Sequence, residues 1–251
     1  MSVPGPAPDD APHGDPSFAT TRWTDVVAAG GRDPAAARAA LETMCRAYWY
    51  PLYADARRRG ADIHRASDLV QGFFAALLEK GWVEDADPAR GRFRAFLLTA
   101  FRRFDAKDHA KAVAAKRGGD VRIVPIDATG GESRLRLEPS HGLTPDRAFD
   151  RRYALTLLGR ALDRTREEFL RTHPAAHFDA LAPFLGGAGE ELAHADLAAA
   201  LGTTPGAVRV TVHRLRARYG RNLRAEVRDT VADDAAVDDE LRQLRQSLAG
   251  E

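Results

Sequence analysis

The chain has 251 residues, 44% of them hydrophobic and 29% charged, which suits one or two globular domains and excludes wholesale disorder. There is no run of about 18 uncharged apolar residues to span a membrane. The first twenty residues hold five prolines and lack a secretory signal's apolar segment, and the single cysteine, Cys45, admits neither an internal disulfide nor a cysteine zinc site. A cytoplasmic protein without membrane contact is expected. The net charge of +1 hides an uneven spread: 90–118 carries nine Lys/Arg against two Asp, 205–224 six Arg and no acid, and 229–240 six acids and no base. Two basic blocks followed by an acidic tail suggest a polyanion-binding protein with local charge compensation, although a solvated basic face gives the same arithmetic.

Residues 1–20 are Pro/Ala/Asp-rich and aperiodic and read as a disordered leader. Trp23, Val26 and Val27 give the first apolar anchor, and Asp33 followed by Pro34 forms an N-cap signal. The helix that follows runs through Leu41, Met44, Cys45 and Tyr48. Further on, Leu69, Phe73 and Leu77 make one apolar row beside Val70, Phe74 and Leu78, a stripe wide enough for a helix buried over much of its girth. Phe93, Phe96, Leu97, Ala100, Phe101 and Phe104 repeat at helical intervals, with Arg94, Arg102, Arg103, Lys107 and Lys111 on the remaining faces. The N-terminal half is therefore predicted as a helical bundle, 21–116, with one strongly basic helix.

From 117 to 144 the glycine pairs Gly118-Gly119 and Gly130-Gly131, then Pro139, interrupt the pattern, and only 121–126 reads as a short extended run. A flexible linker is expected there. Helical periodicity resumes near Pro145 through Tyr153, Leu157, Leu158, Ala161 and Leu162, giving a second helical domain over 145–228, with 229–251 as an acidic tail. No β-hairpin signal or internal repeat is found, so the fold class is all-α: two helical domains joined by a flexible linker.

The segment HADLAAALGTTPGAVRVTVHRLRARY at 194–219 is the most informative. Leu197, Ala198 and Leu201 give a short helix its inner face, Gly202 supplies the left-handed residue that ends it, and Thr204 caps a second helix with Pro205 at its first position. In that second helix Val208, Val212, Leu215 and Tyr219 form one buried stripe. Arg209, His213 and Arg216 make one outer row, and Val210, Arg214 and Arg218 another. This is the helix-turn-helix pattern, in which the second helix enters the DNA major groove and arginines bond guanine edges or neutralise phosphates. A core helical hairpin with a charged outer face is the plainer alternative.

With these blocks in place, the chain from about Trp23 to Leu248 resembles a bacterial extracytoplasmic-function sigma factor of the sigma-seventy-like superfamily. CRAYWYPLY at 45–53 with SDLVQGFF at 67–74 is similar to the family's core-polymerase-binding helices, GRFRAFLL at 91–98 and on to Arg117 to its promoter-melting helix, and 197–219 to the helix that reads the upstream promoter element. The resemblance implies docking on core RNA polymerase through Asp68, Leu69 and Gln71. It implies upstream-element contacts from Thr204, Arg209, Val210, His213, Arg214 and Arg216. Downstream contacts and melting fall to Arg94, Arg102, Arg103, Lys107 and Lys111, and the linker threads toward the polymerase cleft. Ser67 and Gly72 stand where many members carry glutamates, and Phe96 and Arg103 where many carry tryptophan and asparagine, so Phe96 is expected in the core. The implied partners are core RNA polymerase and promoter DNA, with an anti-sigma factor as a further candidate.

No enzyme chemistry, cofactor or metal is expected. His173 and His177 sit four apart without a third ligand, and the acid pairs Glu167-Glu168 and Glu190-Glu191 lack a convergent partner. Trp49 with Tyr48, Tyr50 and Tyr53 reads as core, and Cys45 as a small buried residue. The acidic tail is expected to fold against the basic recognition helix and moderate DNA binding. The rival functions are a stand-alone helix-turn-helix regulator, which needs no polymerase-docking helix, and a nucleic-acid-processing enzyme, for which only Asp105 and Asp108 lie near the basic helix.

Overall fold

In the computed structural model the described residues are 34–80, 82, 92–114, 128–137, 142–186, 191–231 and 234–249. The readings of the leader, of Trp23, Val26, Val27 and Asp33, and of the extended run 121–126 lie outside them, as do the side chains of Leu78 and Lys111. Every element among the described residues is a helix: α1 (Pro34–Arg58), α2 (Ile63–Glu79), α3 (Phe93–Ala114), α4 (Ala128–Leu137), α5 (Pro145–Leu170), α6 (Ala175–Leu181), a 3-10 segment Ala182–Gly186, α7 (Glu191–Ala200), α8 (Pro205–Arg228) and α9 (Asp234–Ala249).

Side-chain periodicity decides which faces meet. Leu69, Val70, Phe73, Phe74 and Leu77 of α2 are all buried, as are Phe93, Leu97, Leu98 and Phe101 of α3. The rings of Phe73 and Phe101 pack edge to face at 5.3 Å between centroids, an arrangement that adds about 0.5–1.5 kcal/mol beyond area burial. Phe96 packs against this core partly buried, in line with its expected place. Gly72 admits Phe104: a Cβ there would meet the ring at 3.4 Å. Helix α1 supplies Tyr48, Trp49, Tyr50, Leu52 and Tyr53 to the same core and ends at Gly60, whose φ of 97° only glycine adopts freely, with Ala61 N donating to Ala56 O at 3.1 Å.

Helix α5 joins this core to a second one. Phe149, Tyr153, Ala154 and Leu157 from its first half belong to the core of α1–α3, whereas Phe169 at its far end packs with Phe178, Leu181, Ala198, Val208, Val212 and Leu215. At 1.5 Å per residue such a helix is about 39 Å long, enough to reach both. Helix α8 runs beside it in the opposite direction, with Val208, Val212 and Leu215 in the second core and Val227 in the first. Between them Asn222 Nδ2 donates to Thr165 Oγ1 at 3.0 Å, and in the turn after α8 Thr230 Oγ1 accepts from Tyr153 Oη at 2.7 Å. The break expected between 116 and 145 is thus not a gap between cores, because α5 starts inside the first one.

The linker itself departs from expectation. Residues 128–137, read as irregular chain because of Gly130 and Gly131, form α4 against α1. The glycine is the reason it fits: a Cβ on Gly131 would lie 3.2 Å from both Trp49 and Tyr53, whose stacked rings are buried at 4.9 Å centroid separation. Glu132 then accepts from Tyr53 Oη at 2.9 Å and from Arg57, and the Arg134 guanidinium sits 4.0 Å over the Tyr50 ring. Tertiary docking overrides weak helix propensity here.

Candidate nucleic-acid interface

Helices α7 and α8 are joined by a short turn whose local chemistry follows the sequence. Gly202 has φ 62°, and Thr203 N donates to Ala198 O at 2.9 Å, closing α7 on a left-handed residue. Thr204 is extended at φ −102° and its hydroxyl accepts from Ala207 N at 3.2 Å, so it caps α8 with Pro205 in the first turn. Val208, Val212 and Leu215 are buried at 2–3% exposure, which fixes the helix rotation and turns the opposite face outward.

On that outward face Arg209, Val210, His213 and Arg214 are all exposed, Val210 at 49%. Among the described residues no hydrogen bond or ion pair engages Arg209, His213 or Arg214. Arg221, seven positions beyond Arg214 on the same row, is equally exposed and was not singled out from the sequence; the i, i+7 spacing from Arg214 was the available signal. Arg216 departs from its row-mates: its Nε donates to Phe184 O at 2.8 Å, holding it beside the 3-10 segment. Arg218 lies 3.7 Å from Glu168 and Arg224 2.6 Å from Asp238. The amino-terminal half of α8 therefore presents unpaired positive charge and donors, which suits a polyanion.

The arginines of α3 are placed differently. Arg94, expected on an outer face, is 5% exposed; its Nε donates to Asp150 at 2.7 Å and its Nη1 to Glu240. Burial alone would lower its hold on the proton, and Glu240 and Asp150 more than reverse this, leaving its pKa above the ordinary arginine value. Arg102 bridges the buried Asp55 at 2.8 Å and Asp146 at 2.7 Å, and those bonds likewise raise its pKa, with that to Asp55 foremost. Asp55 also holds Arg59, which with Arg65 holds Asp105. These two arginines of the downstream set are consequently spent on internal pairing, because α1, α5 and α9 bring carboxylates to α3 from distant sequence. Arg103 and Lys107 are exposed on α3.

On α2, Asp68 is exposed and Gln71 half-buried with its Nε2 donating to Ser67 Oγ at 3.2 Å, but Leu69 is 4% exposed and belongs to the core, since it heads the same apolar row as Phe73 and Leu77. Elsewhere, His173 stacks on Phe169 at 4.3 Å, and no group of three or more His, Cys, Asp or Glu suited to a metal is found among the described residues. Burial pushes the Cys45 thiol up to about 12, with Glu42 adding to the shift, so it is not a thiolate near neutral pH. No helix among the described residues is long and apolar enough to cross a membrane.

The acidic tail forms the helix α9, which packs against α8 as expected, but at the far end of α8 and not at its exposed amino-terminal half. Asp239 and Glu240 reach Arg92, at 3.0 and 3.7 Å, and Glu240 also reaches Arg94, while Asp238 pairs with α8 at Arg224, near its far end. Comparison with protein-family models, with characterised proteins and with solved structures gives no match for this chain.

Proposed function

We propose that this chain is a sigma-type specificity subunit of bacterial RNA polymerase, with two functional ends: a first helical unit that docks on the core enzyme, and a helix-turn-helix that reads promoter DNA. The observation carrying the reading is the face of α8 formed by Arg209, Val210, His213 and Arg214, exposed and unpaired opposite a fully buried stripe. Such a helix, capped by Thr204 and preceded by a tight glycine turn, fits the major groove, where arginine forks bond guanine and neutralise phosphates. Asp68 on the outer face of α2 supports polymerase docking, and Arg103 and Lys107 are the α3 cations left for the downstream strand. The protein does no chemistry itself, requires no cofactor and works in the cytoplasm.

The second reading, a stand-alone helix-turn-helix regulator, is favoured by the burial of Leu69 and the internal pairing of Arg94 and Arg102, which reduce the surface left for polymerase and melting. Pull-down of purified core RNA polymerase by the wild type, Asp68→Lys and Gln71→Ala separates the two. The sigma-type reading expects capture by the wild type that Asp68→Lys loses. Absence of capture, with DNA binding intact, leaves the stand-alone regulator.

A further inference from the structure

Helix α9 packs on α5 and α8. It contributes only Val237 and Leu244 to the buried core, with Leu241 and Leu248 partly buried against it. The rest of its hold is polar: Asp238 on Arg224, Asp239 and Glu240 on Arg92, Glu240 on Arg94, and the Leu248 carbonyl accepting from Arg151. The ion pairs among these contacts weaken with salt and with competing anions, so they are the part of this hold that an anionic ligand can displace. The two guanidiniums it covers form a built anion site. Arg94 is 5% exposed and keeps Asp150 as a second partner, and Arg92 stands two residues before it, held by carboxylates of α9.

We infer that α9 is an autoinhibitory clasp, whose carboxylates Asp239 and Glu240 occupy a phosphodiester-binding site built from Arg92 and Arg94 at the start of α3. The inference rests on the reading of the protein as DNA-binding and adds a regulation to it. In the clasped form the site is filled by the chain's own anions, and the DNA-facing charge is confined to α8 and to Arg103 and Lys107. A nucleic-acid strand that reaches α3 displaces the carboxylates one for one, freeing α9 to swing away from α5 and α8.

The test uses the full chain carrying Asp239→Asn with Glu240→Gln, which leaves Asp150 to hold Arg94 and keeps the apolar anchors of α9. Because neutralising two acids raises the net charge wherever they lie, the matched control is Asp163→Asn with Glu167→Gln, both exposed on α5. Heparin retention and affinity for a labelled random-sequence duplex are measured over graded salt. The clasp variant is expected to bind the duplex roughly 3–10-fold more tightly than the control, with a salt dependence steeper by about one to two in log–log slope, as one or two newly available phosphate contacts require. Adding Arg92→Ala should remove most of that gain. Heparin retention equal in the clasp variant and the control overturns the clasp. Retention that rises in the clasp variant alone, with no form binding duplex DNA, removes the DNA-binding reading and keeps the clasp.

Discussion

Helices α3 and α8 carry similar charge in the sequence and use it in opposite ways. The block around α3 has nine cations against two acids and that of α8 six cations and no acid, yet Arg94 and Arg102 are buried or bridged by carboxylates while Arg209 and Arg214 stand exposed and unpaired. The difference lies in the neighbours. Ion pairs tie α3 to α1, α5 and α9 through Asp55, Asp146, Asp150 and Glu240, whereas the amino-terminal half of α8 rests on an apolar core and offers its other side to solvent. A charge count locates basic helices; only the packing shows which of their cations hold the fold together and which remain for a ligand.

That contrast breaks most sharply at Arg94. Replacing it with alanine strips Glu240 of its nearer cation and leaves it only Arg92 at 3.7 Å, and breaking such a buried pair costs about 3–5 kcal/mol. Denaturant unfolding monitored by far-ultraviolet circular dichroism should show it, and a loss below about 1 kcal/mol would place Arg94 among the dispensable surface charges. At Arg209 and Arg214 the opposite is expected. Alanine should leave stability within about 0.5 kcal/mol while weakening specific DNA binding by roughly 1–3 kcal/mol. Titrations against matched and scrambled duplexes check this, and an equal loss on both would make the two residues phosphate contacts rather than base readers. Thr204→Ala should cost about 1 kcal/mol through the lost cap, seen as a lower unfolding midpoint.

The smallest effect is one of pH. Burial raises the pKa of Glu226, and its partner Arg160 is lowered by burial too. A carboxyl whose folded pKa exceeds its unfolded value, about 4.3, adds stability below that value and loses it as pH rises through the folded pKa. The stability of the wild type relative to Glu226→Gln should therefore fall as pH rises from about 4.3, then level off; a difference that grows with pH would contradict the assignment.

How much was legible follows from the range of the signals. The stripe Val208, Val212, Leu215, the Thr204 cap and the Gly202 turn are local, set by residues within one or two helical turns, and they stand in the structure as the spacing predicts, whereas Tyr219, the fourth residue expected in the stripe, is only half-buried. The rows of α2 and α3 were legible for the same reason. The partners of Arg94 were not, because Asp150 and Glu240 lie 56 and 146 residues away. Nor was α4: two glycines argue against a helix locally, and only the Trp49–Tyr53 stack, met at close range by Gly131, explains why a glycine belongs there. Leu69 was read both as an apolar row member and as a docking residue, and packing decided for the row.

The proposed reading of promoter DNA by the exposed half of α8 on behalf of polymerase can be put to selection from a random-sequence duplex pool. Core RNA polymerase supplied with the wild-type chain, or with the Arg209→Ala, Arg214→Ala double variant, is used to retain duplexes over successive rounds. The account predicts that the wild type enriches one defined sequence that core polymerase alone does not, and that the double variant loses the enrichment while still binding polymerase. Enrichment unchanged in the double variant, or none with the wild type, would contradict it.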